Sequence, residues 1–280
     1  MRYLALAADY DGTAATDNRL SDSTVAAIER LRTSGRRIVL VTGRRVCDLL
    51  PVCPRVALFD LVVAENGAVV YDPRRREEIL LAAPLPARFV ERLRERGVQP
   101  LEIGSVIVAT HAPHAAVLCD VIRELGLEIQ AIFNRSAVMA LPPGINKATG
   151  LQFALRKLGL SRHEAVAIGD AENDHSLLKG CECGVAVANA VPSLKKIASF
   201  VTGGANGNGV AELIDELIAN DLHRMEGRLE RNLLLIGKQT DGKAVRISPY
   251  GRNILIAGPS GSGKSSLAAG LVERLIDKAY

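Results

Sequence analysis

Features that mark membrane and secreted proteins are missing from this 280-residue sequence. No apolar run is long enough to cross a bilayer, and no basic segment followed by an apolar signal core stands at the N-terminus. We therefore expect no membrane partner and a cytoplasmic location. The composition, 48% hydrophobic and 24% charged, is typical of a soluble globular protein with one large domain or two smaller ones.

Cysteine pairs and a strong charge imbalance are missing as well. The five cysteines include no CxxC pair and no metal-finger spacing, so we expect reduced thiols. The formal net charge is only +4, which suits anionic substrates but is too small to indicate nucleic-acid binding by itself. A nucleic-acid partner is therefore not expected.

Polar, glycine-containing turns directly follow apolar runs, which we interpret as buried strands. These turns are Asp9-Tyr10-Asp11-Gly12-Thr13, Thr42-Gly43-Arg44, Glu65-Asn66-Gly67 and Gly169-Asp170-Ala171-Glu172-Asn173-Asp174. Helical patterns alternate with the strands, which predicts right-handed crossovers and a parallel sheet. Because ligands bind at the carboxyl ends of parallel strands, we expect the turns to share one crevice.

Asp9 and Asp11 lie two residues apart at the end of the first predicted strand. Side chains at this spacing point the same way from a strand, so the two carboxylates would lie close together. Like charges at that distance require a cation or a proton between them. The pair therefore predicts a cationic partner.

The predicted organisation is a parallel-sheet core that is interrupted by a small α+β domain. Prolines bracket residues 83–142, which alternate helical and strand patterns of their own, so the core comprises residues 1–82 and 143–219. A glycine-rich turn is predicted at 203–209, before a helix over 210–218. The charged stretch 220–232 is typical of a linker or a solvated helix.

Residues 233–280 predict the beginning of a P-loop nucleotide-binding domain. A hairpin pattern precedes an apolar strand at 254–257, and Gly258, Gly263, Lys264 and Ser265 then match the complete phosphate-binding motif before a helical pattern. Only fifteen residues follow Ser265, too few for a complete ATPase domain. We therefore expect the chain to be the front part of a longer polypeptide. The motif would bind nucleotide only in that longer polypeptide.

Four motifs together resemble those of haloacid dehalogenase-like phosphatases. They are, in order, Asp9-x-Asp11-Gly12-Thr13, Thr42-Gly43-Arg44, Lys147, and Gly169-Asp170-x-x-Asn173-Asp174. The Glu65-Asn66-Gly67 turn and the position of the insert resemble the Cof-type subgroup, which includes sugar-phosphate, sucrose-phosphate and phosphoglycolate phosphatases. The resemblance covers residues 1 to 220. It implies an α/β, Rossmann-like core with an α/β cap domain over the active site.

The resemblance also implies a role for each matching residue. Asp9 would be the nucleophile that forms an aspartyl-phosphate, and Asp11 the general acid and base. Thr42, Gly43, Lys147 and Asn173 would bind the phosphate. The Mg²⁺ cofactor would be held by Asp9, the main-chain carbonyl of Asp11, Asp170 and Asp174. Arg44 either meets the substrate or pairs with a nearby acid, and the sequence does not choose.

Three functions fit this pattern. The first is a Mg²⁺-dependent phosphatase that acts on a small phosphorylated metabolite, favoured because every motif position is chemically intact. The second is a sensing or regulatory module of a larger ATPase. The third is a nucleic-acid end-processing phosphatase joined to a P-loop domain, against which the low net charge and the sizeable cap both speak.

Overall fold

The structure is a computed structural model that describes residues 1–223, 233–247, 249 and 254–278. Contacts group the chain into two units, Met1–His223 and Arg224–Tyr280. In the described residues the strands are β1 (Ala5–Asp9), β2 (Arg37–Val41), β3 (Leu61–Ala64), β4 (Val69–Asp72), β5 (Glu77–Leu80), β6 (Glu102–Ile103), β7 (Val108–His111), β8 (Gln130–Asn134), β9 (Ala137–Leu141), β10 (Ala165–Gly169), β11 (Cys183–Ala186), β12 (Phe200–Val201), β13 (Leu234–Lys238) and β14 (Ala244–Ile247). The α-helices are α1 (Asp22–Thr33), α2 (Val46–Val52), α3 (Ala87–Glu95), α4 (Ala115–Glu124), α5 (Lys147–Lys157), α6 (Asp174–Gly180), α7 (Pro192–Ile197), α8 (Asn206–Asn220) and α9 (Lys264–Asp277).

An eight-stranded sheet forms the core of the first unit, in the order β12-β11-β10-β1-β2-β3-β4-β5. Neighbouring strands from β12 to β3 pair in parallel, and β4 and β5 add an antiparallel edge. The predicted parallel sheet is thus confirmed. The register pairs Asp9 at the end of β1 with Val41 at the end of β2, so the polar turns after these strands begin at the same edge.

Burial explains why the central strands read as unbroken apolar runs. All five residues of β1 are buried, as expected for a strand that is covered on both faces. Helix α1 begins after Ser21, because the Ser21 hydroxyl accepts a hydrogen bond from the Thr24 N–H, 3.1 Å away, and caps the first turn.

Helix α8 begins earlier than the sequence predicts. The predicted turn at 203–209 is wrong for its last four residues, because α8 starts at Asn206. A β-carbon at Gly207 would lie 2.1 Å from the Thr24 Oγ1 on α1. This glycine therefore permits close packing of α8 against α1 and does not loosen a turn.

A second sheet is formed by the elements between β5 and α5, here called the inserted domain (α3 to β9). Its strand order is β6-β7-β9-β8, with antiparallel pairing throughout. Helices α3 and α4 supply Phe89, Leu93 and Leu118 to a separate core beneath this sheet. The two-residue strand β6 has no counterpart in the predicted elements. Boundaries at 83 and 142 stay a prediction, since contacts place Met1–His223 in one unit.

The second unit departs from the P-loop prediction at one strand. The predicted hairpin is confirmed as β13 and β14, and the helix after the motif is α9. Residues 254–257 form no strand, and Leu255 is 90% exposed. In the described residues of this unit β13 and β14 pair only with each other, so an apolar run at 254–257 has no sheet to join.

Two further statements apply to the described residues alone. None of their helices is both long and apolar enough to cross a membrane. The predicted linker at 220–232 lies mostly outside them, since only its first four residues are described and α8 ends at Asn220.

Candidate active site

The site begins at the turn that follows β1. Asp9 ends the strand with a buried side chain, and Gly12 takes up a positive φ of 79° that reverses the chain. A β-carbon at Gly12 would lie 2.6 Å from Asp170 Oδ2, so only glycine fits against this carboxylate. The turn also sends the Thr13 hydroxyl to Asp170 Oδ1, at 2.8 Å. The first and last predicted motifs therefore meet directly.

Lys147 is the cation that the carboxylates require. It is the first residue of α5, whose start is fixed by a capping box between Asn146 and Thr149. Its ammonium lies 2.6 Å from Asp9 Oδ1 and 2.6 Å from Asp174 Oδ1, and its side chain is only 1% exposed. Burial alone would lower the pKa of Lys147, but the two carboxylates outweigh it and raise the pKa above its usual value.

Asp170 and Asp174 approach Asp9 from the loop after β10. Both are fully buried, and Asp174 Oδ2 accepts hydrogen bonds from the backbone N–H groups of Asp170 and Ala171 at 2.9 and 3.0 Å. One oxygen each from Asp9, Asp170 and Asp174 lies within 4.8 Å of the other two. Such a group of hard oxygen ligands fits Mg²⁺.

The charge state of these carboxylates also favours a bound cation. Burial first, and the like charge of Asp174 second, raise the pKa of Asp9 well above its usual value, against the pull of Lys147. Burial likewise raises the pKa of Asp170, although the Thr13 hydroxyl opposes the shift. A divalent ion at this position would offset the repulsion and favour the ionised form of Asp9.

Asp11 is held by Arg44, so the pairing with a nearby acid, one of the two alternatives left open for this arginine, is present in the structure. Nε and Nη2 of Arg44 donate to the two carboxylate oxygens of Asp11 at 2.8 and 2.6 Å. The Asp11 carboxylate is not among the three clustered carboxylates; its predicted main-chain contact with the metal stays a prediction. Thr42 is buried behind Gly43, and its hydroxyl accepts the Arg44 N–H at 3.1 Å.

A crevice of about 400 Å³ opens between the core and the inserted domain. Of the predicted site residues, Asp9, Asp11, Gly43 and Asn173 line it, while Thr42, Lys147, Asp170 and Asp174 are buried. The inserted domain contributes Glu102, Ile107, Ala109, Asn134, Ala137 and Met139 to the lining. Asn173 donates to Asn66 Oδ1 at 3.1 Å, and its predicted contact with phosphate stays a prediction.

Two residues of the site were missed by the sequence analysis. Glu65, noted only as part of a turn, accepts hydrogen bonds from the backbone N–H groups of three residues of the inserted domain. Arg135, at the tip of the β8–β9 hairpin, forms an ion pair with Asp170. Neither role has a sequence signal, because each depends on the way the inserted domain lies on the core.

Glu65 ties the inserted domain to the core. It is 2% exposed and adopts a positive φ of 50°, a strained conformation for glutamate. Its Oε1 lies 2.7 Å from the Ser105 N, and its Oε2 lies 2.8 and 2.9 Å from the Val106 and Ile107 N. These charge-assisted bonds fix one wall of the crevice, because Ile107 is part of its lining.

We expect Glu65→Gln to release this wall. Glutamine turns one acceptor into a donor, so at least one backbone N–H loses its partner and the remaining bonds lose their charge. Amide hydrogen exchange at residues 105–107, measured by mass spectrometry, should become about 10- to 100-fold faster. The control Glu91→Gln, on the exposed surface of α3, should leave this exchange unchanged. Equal exchange in wild type and Glu65→Gln would contradict the role.

The predicted nucleotide-binding residues lie in the second unit. Gly258 and Gly263 flank the loop, α9 begins at Lys264, and Ser265 follows in its first turn. The ammonium of Lys264 donates to the Pro259 carbonyl oxygen at 2.7 Å. Without a strand at 254–257, the loop lacks the strand-to-helix context that the motif requires. Nucleotide binding at this loop stays a prediction.

Comparisons with known proteins agree with the geometry of the first unit. The sequence model of a family described as haloacid dehalogenase-like hydrolase matches residues 6–99 and 103–214. A phosphoglycolate phosphatase of Methanothermobacter thermautotrophicus is 30% identical over 217 residues, which cover 75% of this chain and 96% of the relative. The family model matches the part of the chain that carries the site.

Solved structures resemble about three quarters of the chain. A haloacid dehalogenase-like hydrolase from Bacteroides thetaiotaomicron has a TM-score of 0.64 and 24% identity, covering 77% of this chain and all but 1% of its own. A sugar phosphatase of subclass IIB has a TM-score of 0.62 and 21% identity, with 76% and 98% coverage. At these identities the likeness shows the fold alone.

Proposed function

This chain belongs to the haloacid dehalogenase-like hydrolases and is a phosphatase, and we propose that it hydrolyses a small phosphomonoester with Mg²⁺ through a phosphoaspartate at Asp9. The proposal rests on the buried cluster in which Lys147 bonds Asp9 and Asp174 while Asp170 lies beside them. The predicted resemblance to the family is thus confirmed. The P-loop segment lies beyond the matched residues, which end at 214.

In the first step, an oxygen of Asp9 attacks the substrate phosphorus, and the bond from phosphorus to the ester oxygen breaks. Asp9 Oδ1 is held by Lys147, so the carboxylate is rigid and aimed before the substrate arrives. Asp11, which lines the same crevice, gives a proton to the departing oxygen, and an alcohol leaves. Because Arg44 bonds both Asp11 oxygens, at least one of these bonds must break before Asp11 can carry that proton.

In the second step, water attacks phosphorus and the bond to Asp9 breaks. Asp11, now a carboxylate, takes one proton from the water, and inorganic phosphate forms as the Asp9 carboxylate is released. Both chemical steps therefore use the same two aspartates. After product release Asp11 gives this proton to solvent, and its carboxylate can then pair with Arg44 again, which is the arrangement in the structure.

Asp9, Asp170 and Asp174 would hold the Mg²⁺ ion, and their clustered oxygens support that assignment. Bound Mg²⁺ supplies positive charge that offsets the negative charge of the phosphoryl oxygens in the transition state. Lys147 adds a second fixed positive charge from inside the core. The inserted domain covers one side of the site and limits the entry of water.

The size of the crevice supports a small substrate. About 400 Å³ accommodates a short phosphorylated acid or a sugar phosphate but not a polymer. Two proteins similar to this chain, a phosphoglycolate phosphatase and a sugar phosphatase, are named for substrates of this size. We therefore propose a small phosphorylated metabolite as the substrate class.

A panel of phosphate esters assayed with and without metal tests this function. We expect EDTA-treated protein to lose at least about a hundredfold in turnover of 2-phosphoglycolate or hexose 6-phosphate, and added Mg²⁺ to restore it. A 3′-phosphorylated oligonucleotide should not be hydrolysed. Full turnover without metal, or turnover of the oligonucleotide alone, would contradict the proposal.

A further inference from the structure

Arg135 reaches into the site from the inserted domain. It occupies the two-residue turn between β8 and β9, with a positive φ of 50°. Its backbone N–H donates to Glu172 Oε2 at 3.1 Å, and its guanidinium Nη2 pairs with Asp170 Oδ2. The backbone is thus tied to the core loop after β10, while the side chain remains 55% exposed. Only the side chain is free to change its partner.

The ion pair occupies an oxygen of the proposed metal site. Asp170 offers one carboxylate oxygen to the clustered site and accepts Arg135 at Oδ2, so the guanidinium and a metal ion would compete for this carboxylate. A guanidinium and a divalent cation repel each other at that distance. If the proposed function is right, bound Mg²⁺ displaces the Arg135 side chain from Asp170. The guanidinium, 55% exposed on a tethered hairpin tip, is then available to another anion.

The two arginines that line the crevice already have partners. Arg44 is held by Asp11, and Arg45 donates to both oxygens of Asp48 at 2.5 and 2.8 Å. The crevice lining also includes Glu102, so its acidic side chains outnumber its basic ones. An anionic substrate that enters this crevice gains a cationic contact most directly from the arginine that the metal releases.

We propose that Arg135 determines specificity by binding the non-reacting carboxylate of a phosphorylated carboxylic acid. The proposal rests on the function proposed above. A planar guanidinium matches a carboxylate with two parallel hydrogen bonds, which a neutral hydroxyl cannot form. Arg135 also follows Asn134, which lines the crevice. The β8–β9 hairpin therefore places Arg135 on the side of the site where the inserted domain would enclose the leaving group. Lys147 and the metal ligands serve the phosphoryl group at Asp9.

Two esters that differ only at the carboxylate test this role. 2-Phosphoglycolate and 2-hydroxyethyl phosphate have the same length, but the second carries CH₂OH in place of the carboxylate. With Mg²⁺, Arg135→Gln should lower kcat/KM for 2-phosphoglycolate about 10- to 100-fold, mainly through KM. For 2-hydroxyethyl phosphate the change should stay under about threefold. Arg135→Lys, which keeps the charge without the fork, should fall between wild type and Arg135→Gln.

Mg²⁺ affinity gives a readout that does not depend on turnover. By isothermal titration of the full chain, Arg135→Gln should bind Mg²⁺ several-fold more tightly than wild type, because no guanidinium competes for Asp170. The control Arg123→Gln removes an exposed arginine of the same domain that pairs with Asp120. It should match wild type in both measurements.

The outcomes separate the two proposals. Equal losses on both esters would mean that Arg135 serves the phosphoryl group, and no loss on either would mean that it serves neither; both results overturn the specificity role while leaving a working phosphatase. Unchanged or weaker Mg²⁺ binding by Arg135→Gln would overturn the displacement of Arg135 by the metal. Wild type that hydrolyses neither ester nor a sugar phosphate would instead overturn the proposed function.

Discussion

Asp9→Asn is expected to lower Mg²⁺-dependent phosphatase turnover by at least about 10⁴-fold. Asparagine has the shape of aspartate but carries no charge, so it cannot attack phosphorus and form a stable acyl phosphate. Asp9 is 4% exposed at the end of β1, and its position is set by the sheet register and by Lys147. The substitution therefore removes the nucleophile with little change in the surrounding geometry.

The comparison is steady-state turnover of the best small ester, with circular dichroism as the check on folding. Asp17→Asn is the matched control, because Asp17 is exposed and its positive φ of 50° is well tolerated by asparagine. It should retain wild-type turnover. More than about a tenth of wild-type activity in Asp9→Asn would be inconsistent with a nucleophilic role.

Lys147→Met should cause the largest change in stability. The methionine side chain has a similar length but no charge, so the buried carboxylates of Asp9 and Asp174 lose their only ammonium partner in the described residues. Breaking a buried ion pair on one side costs about 3–5 kcal/mol in the free energy of unfolding. We expect this loss in EDTA and a smaller one in excess Mg²⁺, because a bound cation offsets the same charges.

Urea denaturation with and without Mg²⁺ measures both values. Lys157→Met, at the exposed end of the same helix, is the control and should change the free energy of unfolding by less than about 0.5 kcal/mol. A loss in EDTA no larger than that of the control would show that Lys147 does not hold the carboxylates together.

The core of the site could be predicted from the sequence because its residues stand at strand ends. Parallel strands align their carboxyl ends, so Asp9, Thr42 and Asp170 had to lie at one edge once the sheet was predicted. Lys147 was assigned to the site, as a phosphate ligand, by the family resemblance alone. Nothing in the spacing around Lys147 distinguishes a buried lysine from a solvated one.

Glu65 and Arg135 could not be predicted, because their partners lie on another domain. Glu65 accepts hydrogen bonds from backbone N–H groups of the inserted domain, and Arg135 donates its own backbone N–H from a hairpin turn. Contacts of this kind leave no pattern in the sequence. The early start of α8 was missed for a related reason. The sequence does not distinguish a glycine in a flexible loop from a glycine that permits a close contact, such as Gly207 against Thr24.

The strand predicted at 254–257 failed because a strand depends on its neighbours. The local apolar pattern is sound, yet Leu255 is exposed and no described strand of its unit is available to pair with it. Local patterns therefore predicted the core sheet, where partners are present, and misled at 254–257, where the described residues provide none.

Transfer of phosphate to Asp9 is the most direct measure of the mechanism. Wild-type protein is mixed with Mg²⁺ and ³²P-labelled substrate, quenched in acid within one turnover, and digested for peptide mapping. We predict label on the peptide that contains Asp9, stable in acid and removed by hydroxylamine, and none in Asp9→Asn. Turnover by the wild type with no label on that peptide at any quench time would contradict the phosphoaspartate mechanism.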